Sequence, residues 1–371
     1  MIYLDNAATS FPKPKYVLKN TAEFIKKHCG NSGRGSHKLA LKTSEKIYET
    51  REAISNFLKT DNAEKVVFTQ NATYALNLAI KTTVQANCHV LISDIEHNAV
   101  LRPLFALKKS RNVKYSIFST EGDIEKNITQ LINPETRYII STLVSNVTGK
   151  EIPVKLLSDI AKRNNLKLII DASQALGHKN VNLAKNHCDV LCSAGHKSLF
   201  GIQGVGFSVF CDDIYRDTIF EGGSGNDSFN LEMPLYLPER FEAGTLSAPS
   251  IVSLLYGIKF IENIGLNEIE RKVSVLEDRY VDILNSINNT IIYGADNGII
   301  SFNLIGKTSE FISSELNRCG ICVRGGYHCS PLSHKSIGTV ESGTVRISLS
   351  YFNTIKESDK FYKAIKQIGN F

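Results

Sequence analysis

Between residues 65 and 210 the chain alternates short, unbroken apolar runs with stretches whose apolar residues recur at helical spacing. Val66-Val67-Phe68 precedes Ala75, Leu76, Ala79 and Ile80, and Val90-Leu91-Ile92 precedes a stretch through Leu101, Leu104 and Leu107. Tyr138-Ile139-Ile140 precedes Leu156, Leu157, Ile160 and Ala161. Leu168-Ile169-Ile170, Val190-Leu191 and the run 205–210 continue the series. A strand with no polar alternation is buried on both faces and needs a layer of helices on each side. The repeated strand–helix–strand order therefore predicts an α/β fold built on a mainly parallel sheet. A helix before this block is marked by Ile47, Arg51, Ile54 and Leu58 on one face.

Beyond residue 247 the pattern changes. Two long helices are expected at 251–264 and 266–287, separated by Gly265. Then follow a strand at 299–304, a helix at 309–318, a strand through Val323, a strand at 345–349 and a helix at 356–368. This mixture suits a smaller α+β domain. The expected division is a large domain of residues 14–247 and a small domain made of 1–13 with 248–371. Two segments read as loops: Glu221-Gly-Gly-Ser-Gly-Asn-Asp-Ser228 and the Gly-rich stretch 324–343.

Composition removes several functional classes. With 42% hydrophobic and 22% charged residues in 371, the chain can bury a sizeable core and is not disordered. The longest apolar runs, Met1 to Leu4 and Leu104 to Leu107, fall far short of the ~20 residues that cross a bilayer. The net charge of +6 is mild and its cations are scattered, so neither nucleic acid nor a membrane is an expected partner. Asp5 and Asn6 interrupt the start before an apolar signal segment could form, and a cytoplasmic, reducing location is expected. The eight Cys residues then read as free thiols or ligands. Cys188, Cys192 and His196 flank or follow a strand, and Cys319-Gly-Ile-Cys322 sits at a helix end, so neither set has the spacing of a zinc knuckle and no metal is expected.

Polar residues gather just after the predicted strands, where open α/β sheets bind ligands. They are His97, Asn146, Asp171, and the group Ser193, His196 and Lys197. Asp171 precedes Lys197 by one strand–helix–strand step, with Gln174 and His196 between. Pyridoxal 5′-phosphate chemistry needs such a set. A lysine amine carries the cofactor, a carboxylate faces its ring nitrogen, an aromatic ring such as His97 stacks on its face, and a helix N-terminus takes its phosphate. Asn71-Ala72-Thr73 opens a helix and can serve the last role.

These residues sit in longer matches: Tyr3-Leu-Asp-Asn-Ala-Ala-Thr9, Arg34-Gly-Ser-His37, Phe68-Thr-Gln-Asn-Ala-Thr73, Glu96-His97, Val144-Ser-Asn146, Asp171-Ala-Ser-Gln174, Ser193-Ala-Gly-His-Lys197 and Arg240-Phe-Glu-Ala-Gly-Thr245. Through them the sequence resembles the class V aminotransferase superfamily of fold-type I pyridoxal phosphate enzymes, within it the cysteine desulfurases and selenocysteine lyases. The resemblance implies Lys197 as the Schiff-base lysine, Asp171 at the ring nitrogen, and Gln174 and Asn146 on the ring-oxygen side. It implies that Ala72 (through its backbone), Thr73, Ser193 and His196 hold the phosphate. Thr245 would reach the phosphate of a partner subunit, making a homodimer the expected unit.

The segment Arg324-Gly-Gly-Tyr-His-Cys329 resembles the Arg-x-Gly-x-His-Cys signature of the second desulfurase group. It implies Cys329 as the sulfur-accepting nucleophile, with Arg346 and Arg324, and Asn146 beside them, binding the substrate. The implied reaction converts L-cysteine to L-alanine and passes a persulfide on Cys329 to an acceptor protein. His97 is a candidate for proton movement as well as stacking. L-Selenocysteine is an alternative substrate, and aminotransferase or C–S β-lyase chemistry is the alternative on the same fold.

Overall fold

The structure is a computed structural model that describes every residue except Gly33, Arg34, Ser36, Arg216, Asn226, Asp227, Ser228, Asn370 and Phe371. Part of the Arg34-Gly-Ser-His37 match and the last three residues of the Glu221-to-Ser228 loop thus lie outside the described residues. In chain order the first elements are β1 (Ile2–Tyr3), α1 (Lys15–His28), α2 (Lys38–Leu58), β2 (Val66–Thr69), α3 (Ala72–Thr83), β3 (His89–Ser93), α4 (Asn98–Arg111) and β4 (Lys114–Phe118). Next come α5 (Ile124–Thr129), β5 (Thr136–Thr142), α6 (Val154–Arg163), β6 (Lys167–Asp171), β7 (Val190–Ala194) and β8 (Gly206–Phe210). The rest comprises α7 (Ala248–Ile264), α8 (Leu266–Asn285), β9 (Thr290–Asp296), β10 (Ile299–Leu304), α9 (Ser309–Arg318), β11 (Ile321–Cys322), β12 (Arg324–Gly326), α10 (Pro331–Ser336), β13 (Thr344–Ser348) and α11 (Ile355–Gly369).

The apolar runs become the middle of a seven-stranded sheet of order β2-β8-β7-β6-β5-β3-β4. Strands β4, β3, β5, β6 and β7 are parallel; β8 runs antiparallel to β7, and β2 antiparallel to β8. Every residue of β3, β7 and β8 is buried, as the absence of alternation demands. Strand β4 had no such signal. It is an edge strand with only Phe118 buried, and Lys114 pairs with Glu135 there, a charge that discourages further strand pairing.

A second sheet of order β12-β13-β10-β9 is antiparallel throughout and packs against α8, α9 and α11. Its strand β9 joins β10 through Asn297 and Gly298, both at positive φ (56° and 75°), the pattern of a tight hairpin turn. The Gly-rich stretch expected to be a loop holds β12 and α10, so it is an ordered part of this unit. Helix α7 packs on α1 and α2 and shares the core of the large sheet through Ile251, Leu254 and Ile258. Gly265, at φ 90°, ends it and lets the chain turn into α8.

The N-terminal segment links the sheets. β1 pairs with β11, and beyond it Leu4 O accepts from Ser348 N (2.7 Å), Asn6 Nδ2 donates to Ser348 O (2.9 Å), and Ala7 N donates to Ser348 Oγ (2.8 Å). Gln174, after β6, then donates from Nε2 to Ala7 O at 2.9 Å.

One buried ion pair fixes the opposite edge of the large sheet. Arg51 Nη2 of α2 lies 2.5 Å from Glu242 Oε2, both side chains being 6% exposed. Arg51 Nη1 also donates to Val66 O, and Glu242 Oε1 accepts from Phe68 N (2.7 Å), so the pair clamps β2 to the segment that carries Thr245. Removing one partner strands the other charge in the core. Arg51→Met is therefore expected to cost about 3–5 kcal/mol. Urea unfolding measures this, and an unchanged midpoint would refute it.

Candidate active site

The carboxyl ends of the parallel strands meet the second sheet around a cavity of about 230 Å³. Its walls include Ala72, Thr73, His97, Asn146, Asp171, Gln174, His196, Lys197, Arg324 and Arg346. Ten of the expected site residues are thus brought together from elements spread over the whole chain. Three are placed otherwise. The Ser193 hydroxyl, near the end of β7, turns to the carbonyls of Ala172 (3.5 Å) and Ala194 (3.4 Å), and Ser193 is not among the residues that line this cavity. Thr245 borders a different cavity, of about 420 Å³, with Thr69, Gln70 and Tyr74. Cys329 borders a neighbouring groove that shares Thr73, His97 and Ala99 with the main cavity.

The turn after β7 brings Lys197 to the cavity. Loss of hydration lowers its amine from 10.5 to about 8; Asp171 acts against this, and Arg346 and Arg324 reinforce it. Asp171 ends β6, where Oδ1 accepts from Ser173 N at 2.9 Å and Oδ2 has no hydrogen-bond partner among the described residues. His97 caps α4, with Nδ1 accepting from Ala99 N at 3.0 Å. Burial lowers the ring to about 4, so it is neutral near pH 7 and carries its proton on Nε2. His196 is held through Nδ1 beside Thr9 Oγ1 (3.1 Å), and burial likewise lowers it to about 4.

Helix α3 closes the cavity's other end. Asn71 caps it by accepting from Tyr74 N through Oδ1 at 3.1 Å, which leaves the Ala72 and Thr73 N–H groups free of intrahelical partners. The turn comes close because β8 has Gly206 beneath it, where a Cβ would lie 2.3 Å from the Asn71 carbonyl carbon. Free N–H groups at the positive end of a helix suit a phosphate. An unpartnered carboxylate oxygen and a desolvated amine share the same cavity. These residues fit pyridoxal 5′-phosphate.

The second sheet supplies the arginines and the thiol. Arg346, on β13 and 1% exposed, donates from Nη1 to Asn146 O (2.9 Å) and from Nη2 to Asp5 Oδ1 (2.7 Å), while its buried Nε has no partner. Asp5 had no role assigned from the sequence. Only the docking of the N-terminal segment beside β13 reveals it. Arg324, on β12, points Nη2 toward Cys329 Sγ at 3.9 Å.

The exposed Cys329 lies on a loop held from both sides. Asn146 Nδ2 donates to His328 O (2.7 Å), Ser330 Oγ donates to Asn146 Oδ1 (2.6 Å), and Asn98 N donates to Cys329 O (2.8 Å). Asn146 was expected at the cofactor and substrate; in the structure it lines the cavity and its amide also grips the Cys329 loop. His328 turns its Nε2 to Thr344, so the ring next to the thiol in sequence has its own structural contact. Asn146→Ala would leave the Ser330 hydroxyl and the His328 carbonyl buried without these bonds, an expected cost of about 1–3 kcal/mol. Chemical denaturation checks this, and wild-type stability would contradict it.

A desolvated lysine and a buried aspartate at the carboxyl ends of a mainly parallel sheet, over an open helix N-terminus, mark the fold-type I class of α/β enzymes. The model of the aminotransferase class-V family matches residues 2–361, and the chain belongs to that family, whose members depend on pyridoxal phosphate.

Among its relatives, a protein of Methanothermobacter thermautotrophicus named "Probable cysteine desulfurase" is 28% identical over 383 residues, covering 99% of this chain and 94% of its own. A cysteine desulfurase of Klebsiella pneumoniae is 28% identical over 383 residues, covering 99% and 93%. The apo structure of a cysteine desulfurase from Thermococcus onnurineus NA1 superposes with a TM-score of 0.92 at 29% identity, covering 100% of this chain and 94% of that one. Among the described residues no helix is long and apolar enough to cross a membrane.

Proposed function

We propose that this chain is a pyridoxal phosphate-dependent cysteine desulfurase that converts L-cysteine to L-alanine and takes the sulfur as a persulfide on Cys329. The observation that carries the reading is Cys329 on a pinned loop, with Arg324 3.9 Å from its sulfur and bordering the Lys197 cavity as well. The free N–H groups of Ala72 and Thr73 would hold the cofactor's phosphate, Asp171 its ring nitrogen, and His97 one of its faces. When bound, pyridoxal phosphate supplies an electron sink for the pair released as the substrate's α-proton leaves. Lys197 takes that proton at Nζ, a role its lowered basicity suits at mildly alkaline pH. Arg346 and Arg324, which both line the Lys197 cavity, bind the substrate carboxylate; a planar guanidinium can do so through two hydrogen bonds. The Cys329 thiolate attacks the substrate sulfur. One S–S bond forms as the Cβ–S bond breaks, and the pair left on carbon takes up a proton to give alanine.

The defining experiment incubates the protein with L-cysteine and a reducing thiol and measures sulfide, alanine and pyruvate. Equal sulfide and alanine support the reading; sulfide with pyruvate and no alanine replaces it with a β-lyase. The same assay with L-selenocysteine ranks the two substrates.

A homodimer is part of the proposal. The placing of Thr245 away from its own Lys197 cavity supports its service to a partner's phosphate, and the exposed, stacked rings of Tyr74 and Phe220 beside it offer apolar contact area. A cytoplasmic location is consistent with eight free cysteines. The division into a large and a small domain is also proposed. The packing of α7 on α1 and α2 favours a boundary at Gly265 over one at residue 247.

A further inference from the structure

Cys329 does not border the Lys197 cavity; it borders a groove of about 490 Å³ between α3 and α4. The groove follows from helical spacing. Thr73, Asn77 and Lys81 recur every four residues on α3, and Ala99, Arg102 and Ala106 share one face of α4. Both helices start at the site, so Arg102 lies about one turn and Lys81 about two turns outward. Neither cation makes an ion pair among the described residues, and no carboxylate borders the groove. The stretch from Ala99 to Ala106 runs about 10 Å along the helix axis, room for about three residues of extended chain.

We propose that this groove receives the sulfur acceptor, and that the acceptor is a protein presenting its cysteine on a short acidic segment. The proposal rests on the desulfurase reading. The acceptor thiolate attacks the outer sulfur of the Cys329 persulfide from the groove side. A new S–S bond forms on the acceptor, the bond to Cys329 Sγ breaks, and Cys329 departs as thiolate, so no external oxidant or reductant is needed. Lys81 and Arg102 raise the local concentration of a negatively charged segment and turn its cysteine toward Cys329.

The test uses the intact protein, loaded with L-cysteine and freed of small thiols, with sulfur on Cys329 confirmed by mass spectrometry. Three capped tripeptides are offered, with cysteine between two aspartates, two asparagines or two lysines, and sulfur-transfer rates are compared per thiolate at low salt. The aspartate peptide is expected to react at least about tenfold faster than the lysine peptide, with the asparagine peptide between them. The double variant Lys81→Gln, Arg102→Gln is expected to form alanine normally and to lose this ranking. Equal rates in the wild-type protein, or a ranking that survives in the double variant, overturn the inference and leave the desulfurase reading standing. Failure of Cys329 to acquire sulfur at all removes the desulfurase reading itself, and this inference with it.

Discussion

Lys197→Ala is expected to lower turnover of L-cysteine by about a thousandfold or more and to abolish the covalent linkage of pyridoxal phosphate to the protein. General base catalysis alone contributes about 10²–10⁴-fold, and this residue is also the anchor. The wild-type pH profile tests the same residue independently. The neutral amine is the reactive form, and desolvation lowers its value to about 8. At pH 7.5 about a quarter of such an amine is free, against about one part in a thousand for an ordinary lysine. The rate should climb at least about tenfold per pH unit below this value, because Lys197 must lose its proton and Cys329 must react as the thiolate. Neutral His97 and His196, both near 4, add no break in that range. A Lys197→Ala protein that kept a tenth of wild-type turnover would refute the assignment, and a profile flat from pH 6 to 9 would refute the role of the titrating amine.

Cys329→Ser should cost on the order of a thousandfold in sulfide release from L-cysteine while leaving cofactor binding intact. Serine nearly matches cysteine in shape, and the loop's shape is demanding. His328 and Cys329 both hold positive φ, 50° and 60°, which side-chain-bearing residues adopt only when their surroundings enforce it. The bonds from Asn146 and Asn98 enforce it here, and all of them survive the exchange. The variant therefore removes the thiol and little else. Mass spectrometry after exposure to L-cysteine should show an added sulfur atom on the wild type and none on the variant. Full turnover by the serine protein would end the case for Cys329.

The central strands were legible because a fully buried strand has no polar alternation, as in Val90-Leu91-Ile92 and Leu168-Ile169-Ile170. The strands β4 and β9 were not. Both are half exposed, and the only strong sign of β9 was the Asn297-Gly298 turn that follows it. In the site, His97, Asp171 and Lys197 were legible because strand ends in a parallel sheet all face one crevice. The contacts of Asn146 with residues 328 and 330, and of Arg346 with Asp5, were not. They depend on how the second sheet docks against the first, which no local period encodes. Ser193 was expected just after a strand ending at Cys192; it lies within β7, where its hydroxyl turns to the carbonyls of Ala172 and Ala194.

The pair between Arg346 and Asp5 joins groups 341 residues apart. During synthesis Arg346 emerges 341 residues after Asp5. The large sheet can collapse on its own apolar strands well before that. Closing so long a loop is slow and entropically costly, so the contact of Arg346 with Asp5 is expected to form after the large sheet. A chain released before β13 would have Lys197 at the end of its sheet and no Arg346 to close the cavity wall opposite it.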